Sequence, residues 1–235
     1  MLDLIKFIFF KKNINEIAVG NKLKLFLILF CINFLIMVLS KIVFVELEDL
    51  GLIQKINKEK KILYTGFKLF AITGFLVPII EEIINRLWLK FNKYYLPISM
   101  SLFVFIFYYV FIFNNNIDSL FSTPLDFLKS LFMSIVVFYI IKLFVIKNEK
   151  TLIYIYERHI LKILMGSALF FSLLHLSTYN FNTANSIYFV PFFLAPYFIA
   201  GILLGYVRLT LGFRSALYFH ILHNSILVGL KILIS

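Results

Sequence analysis

Charged residues are scarce in this sequence: 15% of 235 positions, against roughly 25% in an ordinary soluble domain. Apolar residues take their place, at 62%, with a mean hydropathy of +0.95. A chain of this length cannot hide so much apolar surface from water, because size sets the fraction of surface that folding buries. A soluble enzyme and a disordered chain are thereby excluded. Cysteine is nearly absent: Cys31 stands alone inside an apolar run, so no internal disulfide and no secreted disulfide scaffold can form. Bulky Leu29 and Phe30 precede it where a lipoprotein signal needs small residues. The run at 23–45 lacks a small-residue cleavage site and is too long for a signal-peptide core, so a retained anchor is expected. An internal repeat is missing, which speaks against a small transporter. No linker is long enough to separate domains.

Acidic residues are few, 12 against 23 Lys and Arg, for a net charge of +11. In this apolar context the excess is read as basic flanks facing anionic headgroups, and nucleic-acid binding is not expected. What is present is a series of hydrophobic runs. They predict an all-α integral membrane protein, a polytopic bundle of about seven transmembrane helices, each of roughly 20 residues. The expected spans are 23–45, 62–90, 96–113, 124–146, 160–176, 187–207 and 213–234. Pro124 falls at a helix start, where a missing N–H matters least. Pro191 and Pro196 predict a kink unless neighbours satisfy the freed carbonyls. An interfacial helix is expected before the first span, within residues 1–22.

Lys and Arg set the orientation. The N-terminal tail (Lys6, Lys11, Lys12, Lys22, Lys24) and the segments with Arg86, Lys90 and Lys93, with Lys147, Lys150 and Arg158, and with Arg208 and Arg214 all fall on one side of a seven-span arrangement. Segments 114–123 and 177–186 have neither residue. The N-terminus is therefore expected inside, and the Lys-heavy, Arg-poor usage with abundant Ile, Phe and Asn points to the inner membrane of an AT-rich bacterial source. Loop 46–61 disagrees, with Lys55, Lys58, Lys60 and Lys61 on the expected outside.

An ionised group inside a bilayer costs on the order of 2.5–3.5 kcal/mol, yet the second span contains Glu81, Glu82 and Arg86. Glu82 and Arg86 are four apart and can pair along one helix face, a structural role in the blander reading. Glu81 is rotated by about 100° from Glu82, which leaves it for the bundle interior. Pro78, three residues earlier, donates no backbone hydrogen bond. In the fifth span Phe171 and His175 share a face. In the seventh, His220 and Asn224 do, with His223 displaced from Asn224. A histidine alone in an apolar helix is usually a hydrogen-bonded core residue. A His and an Asn aimed together into a dry bundle can also hold an oxyanion.

These residues carry a resemblance. Glu81-Glu82-x-x-x-Arg86, Phe171-x-x-x-His175 and His220-x-x-x-Asn224, each in an apolar helix and in that order, resemble the motifs of the CPBP family. These are the CAAX-processing and bacteriocin-processing intramembrane proteases, also called the Abi family and similar to type II CAAX prenyl endopeptidases. The stretch Gly201 to Asn224 also looks like that family's lead-in to its third motif. The resemblance covers about residues 62–230. It leaves residues 1–61 as tail, first span and charged loop, and 62–235 as the protease-like core. Two departures stand out. Asn85-Arg86-Leu87 replaces a frequent Phe-Arg-Gly, and 94 positions separate Glu81 from His175 where about one helical hairpin is usual. An inserted helix pair at about 96–146 is expected to account for the second.

The resemblance implies hydrolysis of a peptide bond in a membrane-associated protein or peptide near the cytosolic face. It assigns Glu81 as general base, His175 as orienting the water, and His220 and Asn224 as stabilising the oxyanion, with Glu82 and Arg86 in support. No cofactor is expected. The alternative is zinc on Glu81, His175 and His220, a ligand set with one open position; the HxxxN pairing favours the metal-free version. The rival function is a non-catalytic immunity or regulatory membrane protein of the same fold.

Overall fold

The computed structural model describes residues 21–50, 66–113, 123–178 and 188–234. Among these residues every regular element is a helix. The expected interfacial helix within 1–22 and most of the discordant loop 46–61 lie outside them.

Seven helices follow in order. They are α1 (Lys22–Asp49); α2, built from Gly66–Leu69, a π-helical stretch Phe70–Leu76 and Val77–Asn85; and α3 (Tyr95–Ile106, running on as a π-helical turn to Ile112). Then come α4 (Pro124–Lys147), α5 (Glu149–Leu174), α6 (Val190–Leu211) and α7 (Phe213–Ile234). Five of them, α1, α3, α4, α6 and α7, are long and apolar enough to cross a membrane. The described residues are thus all-helical, and five such helices suggest a multi-pass membrane protein. The other two expected spans are helical but differ in kind. The second is broken by its π stretch and carries Lys68, Glu81 and Glu82. The fifth begins eleven residues before the expected start at 160, in a charged segment with Glu149, Lys150, Glu157 and Arg158. It changes direction at His159 (φ −120°, ψ 22°).

Punctuation in the sequence explains the ends. Pro124 occupies the first turn of α4 and Pro191 the first turn of α6, where the helix has no use for their missing N–H. Pro196 lies inside α6, which nevertheless runs on to Leu211. Gly212 ends α6 at φ +95°, a conformation that strains any residue with a Cβ, and α7 starts at the next residue.

The chain divides into two compact units, residues 1–79 with 161–235, and residues 80–160. In the first, α7 packs on the π stretch of α2 and on α6, and α1 packs on α6 and α7. Phe26 and Phe30 of α1 meet Phe219 edge-on, at centroid distances of 5.5 and 5.3 Å. Phe44 stacks on Phe193 at 4.8 Å. α5 and α6 cross closely: a Cβ added to Gly201 would lie 2.9 Å from the Ala168 Cα. Small residues at such crossings are how helices associate in lipid, where burial of apolar surface gives little drive.

In the second unit α3 and α4 form a hairpin. Phe105 meets Phe127 edge-on at 5.5 Å, and buried Tyr109 and Thr123 share a hydroxyl–hydroxyl hydrogen bond of 2.8 Å. Leu125, Leu128, Phe132, Tyr139 and Leu143 of α4 are exposed, an apolar stripe suited to hydrocarbon. The phenol of Tyr156 donates to the Trp88 carbonyl at 2.8 Å, and burial pushes its pKa up to about 12.

Candidate functional site

In the second unit the end of α2 carries the carboxylates. Glu82 and Arg86 are fully buried and pair at 3.2 Å, as their four-residue spacing predicts. Two buried charges survive in an apolar setting only when paired with good geometry. Glu81, one position earlier, is half-buried. Its carbonyl accepts from the Asn85 side-chain amide at 2.8 Å. Ser99 of α3 donates to the Ile83 carbonyl at 2.7 Å, so the turn bearing both glutamates is tied to the following helix.

In the first unit the other two motifs meet on one aromatic ring. Phe171 lies edge-to-face with His175, 4.6 Å between centroids, and edge-to-face with buried His220, at 5.9 Å. His175 stands at the end of α5, where the helix tightens into a 3₁₀ turn, His175–Thr178. Its Nδ1 is 2.9 Å from the Phe171 carbonyl. A carbonyl only accepts, so Nδ1 carries the proton and, in the neutral ring, Nε2 presents a lone pair. Tyr197 of α6 stacks on the ring at 4.2 Å.

Asn224 and Ser225 have a job set by Pro78. Val77 N–H bonds to Ile72 O, five residues back. The next donor in that register would serve Thr73 O, and in the α register Gly74 O. Pro78 supplies neither. Asn224 Nδ2 donates to Thr73 O and Ser225 Oγ to Gly74 O, each at 3.4 Å. Side chains of α7 therefore replace the missing helix donor. Gly74 makes room for this: a Cβ there would sit 3.2 Å from Ser225 Oγ. One of the two amide hydrogens of Asn224 is used on Thr73, which fixes the direction of the other.

The residues that sequence reasoning passed over are Asn33, Thr73, Tyr197 and Ser225. Asn33 had a signal, a lone amide in the long apolar run of the first span. It lies 3.3 Å from His223 Nδ1. Among the described residues neither unit groups three His, Cys, Asp or Glu side chains to hold a metal ion. In comparisons with protein-family models, curated proteins and solved structures, the chain matches none.

Proposed function

We propose that this chain is an intramembrane endopeptidase of the CPBP type. It hydrolyses a peptide bond of a membrane-associated protein or peptide with water activated by Glu81. The observation that carries the reading is the ring of Phe171 packed against both His175 and His220. Residues from two of the three motifs, 45 positions apart in sequence, share one neighbour. Chance polar residues in apolar helices have no reason to do so.

In this mechanism Glu81 removes a proton from water, and His175 Nε2 accepts the other water hydrogen and orients it. The water oxygen bonds to the carbonyl carbon, and the carbonyl electrons become an oxyanion. His220 and the second amide hydrogen of Asn224 donate to that oxyanion, an interaction worth about 2.7–4 kcal/mol per donor. When the oxyanion collapses the C–N bond breaks, and the proton held by Glu81 leaves with the amine. The Glu82–Arg86 pair fixes the helix that carries the base. The chemistry needs no cofactor. The chain crosses the cell membrane seven times with its N-terminus and its site toward the cytosol, and it binds no nucleic acid.

The test is a comparison of new protein amino termini in membranes carrying the wild-type chain or Glu81→Gln. The amide keeps shape and loses the base, so a set of cleavages should vanish while the protein stays in the membrane. Identical termini in the two samples would overturn the reading.

A further inference from the structure

The helix that bears His220 and Asn224 is also gripped by α1. Three aromatic residues of α1 follow one another a helical turn apart. Phe26 and Phe30 meet Phe219 edge-on, and Phe30 and Phe34 meet the His223 ring edge-on, at 6.4 and 6.0 Å. Between Phe30 and Phe34 in sequence lies Asn33. Its Nδ2 is 3.3 Å from His223 Nδ1, and both side chains are buried, 2% and 6% exposed. An amide nitrogen only donates, so His223 Nδ1 accepts and the ring proton is on Nε2.

Apolar contacts alone permit a helix to turn about its axis, whereas a hydrogen bond is directional. Phe219 and His223 face α1, His220 faces Phe171, and Asn224 and Ser225 face the π stretch of α2. The azimuth of α7 over its 219–225 turns is thereby set from three sides.

We propose that Asn33 is a positioning residue of the hydrolytic site, acting through His223. The hydrogen bond fixes the rotation of α7 that aims His220 and Asn224, and the tautomer of the ring reports that the bond is made. This rests on the hydrolytic reading above. It makes α1 part of the working site, although the motif-bearing region begins only at about residue 62.

The experiment uses the full chain in lipid nanodiscs with ¹⁵N-labelled histidine, the His223 signals being assigned by their loss in His223→Gln. Hydrolysis is followed as the initial rate at which new amino termini arise in a membrane extract from a strain lacking the chain. Wild type should show His223 neutral with its proton on Nε2. Asn33→Leu should leave the ring a mixture of tautomers and lower the rate about tenfold to a hundredfold, the scale produced by misplacing a reacting group by about 1 Å. Asn33→Asp, whose carboxylate accepts from Nδ1–H, should move the proton to Nδ1 and restore most of the rate, because the tether is kept. Unchanged His223 signals in Asn33→Leu would overturn the proposal. So would an unchanged rate in that variant while Glu81→Gln is inactive. If Asn33→Leu does not fold, Asn33→Asp decides alone: no proton shift, or a rate about tenfold or more below wild type, overturns it. Wild-type hydrolysis by Glu81→Gln would instead remove the hydrolytic reading and the positioning role together, with the histidine signals still showing whether Asn33 sets the ring.

Discussion

His175 lies nearly flat against Tyr197, their centroids 4.2 Å apart and their planes inclined by 25°. Together with the 2.9 Å contact from Nδ1 to the Phe171 carbonyl, this stack fixes both the tilt and the tautomer of the imidazole. A histidine at the end of a helix would otherwise sample several rotamers. A ring held in this way offers the same nitrogen in the same direction on every encounter, which orienting a water molecule requires.

The buried pair Glu82–Arg86 predicts a difference between the adjacent glutamates. Glu82→Gln removes the carboxylate paired with buried Arg86 and should cost about 3–5 kcal/mol, read as reduced membrane abundance on an immunoblot. The double change Glu82→Gln with Arg86→Met removes both charges and should regain part of that abundance. Equal abundance of wild type, single and double variants would show that the pair contributes nothing to folding.

Pro78→Ala restores a backbone donor to α2. The new N–H should bond to Thr73 O or Gly74 O, displacing the Asn224 amide or the Ser225 hydroxyl. The melting temperature should hold or rise, since a helix-interior proline costs about 3 kcal/mol relative to alanine, while hydrolysis falls. Full hydrolysis by Pro78→Ala would mean that the tie between α2 and Asn224 is irrelevant to the reaction.

Gly201 and Gly166 predict opposite signs. A methyl group at Gly201 meets the backbone of Ala168 at 2.9 Å, whereas one at Gly166 meets nothing within 4 Å. Gly201→Ala should destabilise by about 1–3 kcal/mol through overpacking. Gly166→Ala should be neutral or stabilising by up to about 1 kcal/mol through helix propensity. Thermal unfolding in detergent measures both, and a Gly201→Ala protein as stable as wild type would contradict the close crossing of α5 and α6.

Hydrolysis should persist in a strong chelator, because the mechanism assigns His220 and Asn224 jointly to an oxyanion. Loss of activity on chelation, with recovery on adding zinc, would transfer Glu81, His175 and His220 to a metal site.

The basic segments predict the orientation. In a Cys31→Ser background, a cysteine placed at Glu149 should react with an impermeant maleimide only from the cytosolic side. Reaction from outside in intact cells would invert the topology.

Sequence punctuation made part of this fold legible. The span expected at 124–146 is Pro124–Lys147, its start marked by Pro124, and that expected at 213–234 is Phe213–Ile234. The early start of α5 was hidden because the charges from Glu149 to Arg158 read as a loop, although charged residues are good helix formers when solvated. Within the site, the Glu82–Arg86 pairing followed from spacing alone. The roles of Asn33, Tyr197 and Ser225 did not, since each is defined by a partner on another helix. The π stretch was equally hidden: Pro78 announces a lost donor but not which register the preceding turn will adopt.

The link between α2 and α7 also bears on how the protein is made. Thr73 and Gly74 precede the side chains that serve their carbonyls by 151 residues. At synthesis rates of about 5–20 residues per second, that interval is roughly 8–30 s. During it, α2 leaves the ribosome without the donor that Pro78 lacks, and the side chains that take its place have not yet been translated. Lateral release of such a segment into hydrocarbon is costly, so α2 should linger at the insertion machinery until the last helix arrives. A truncation ending before residue 213 would then be a substrate for membrane quality control rather than a smaller version of the same bundle.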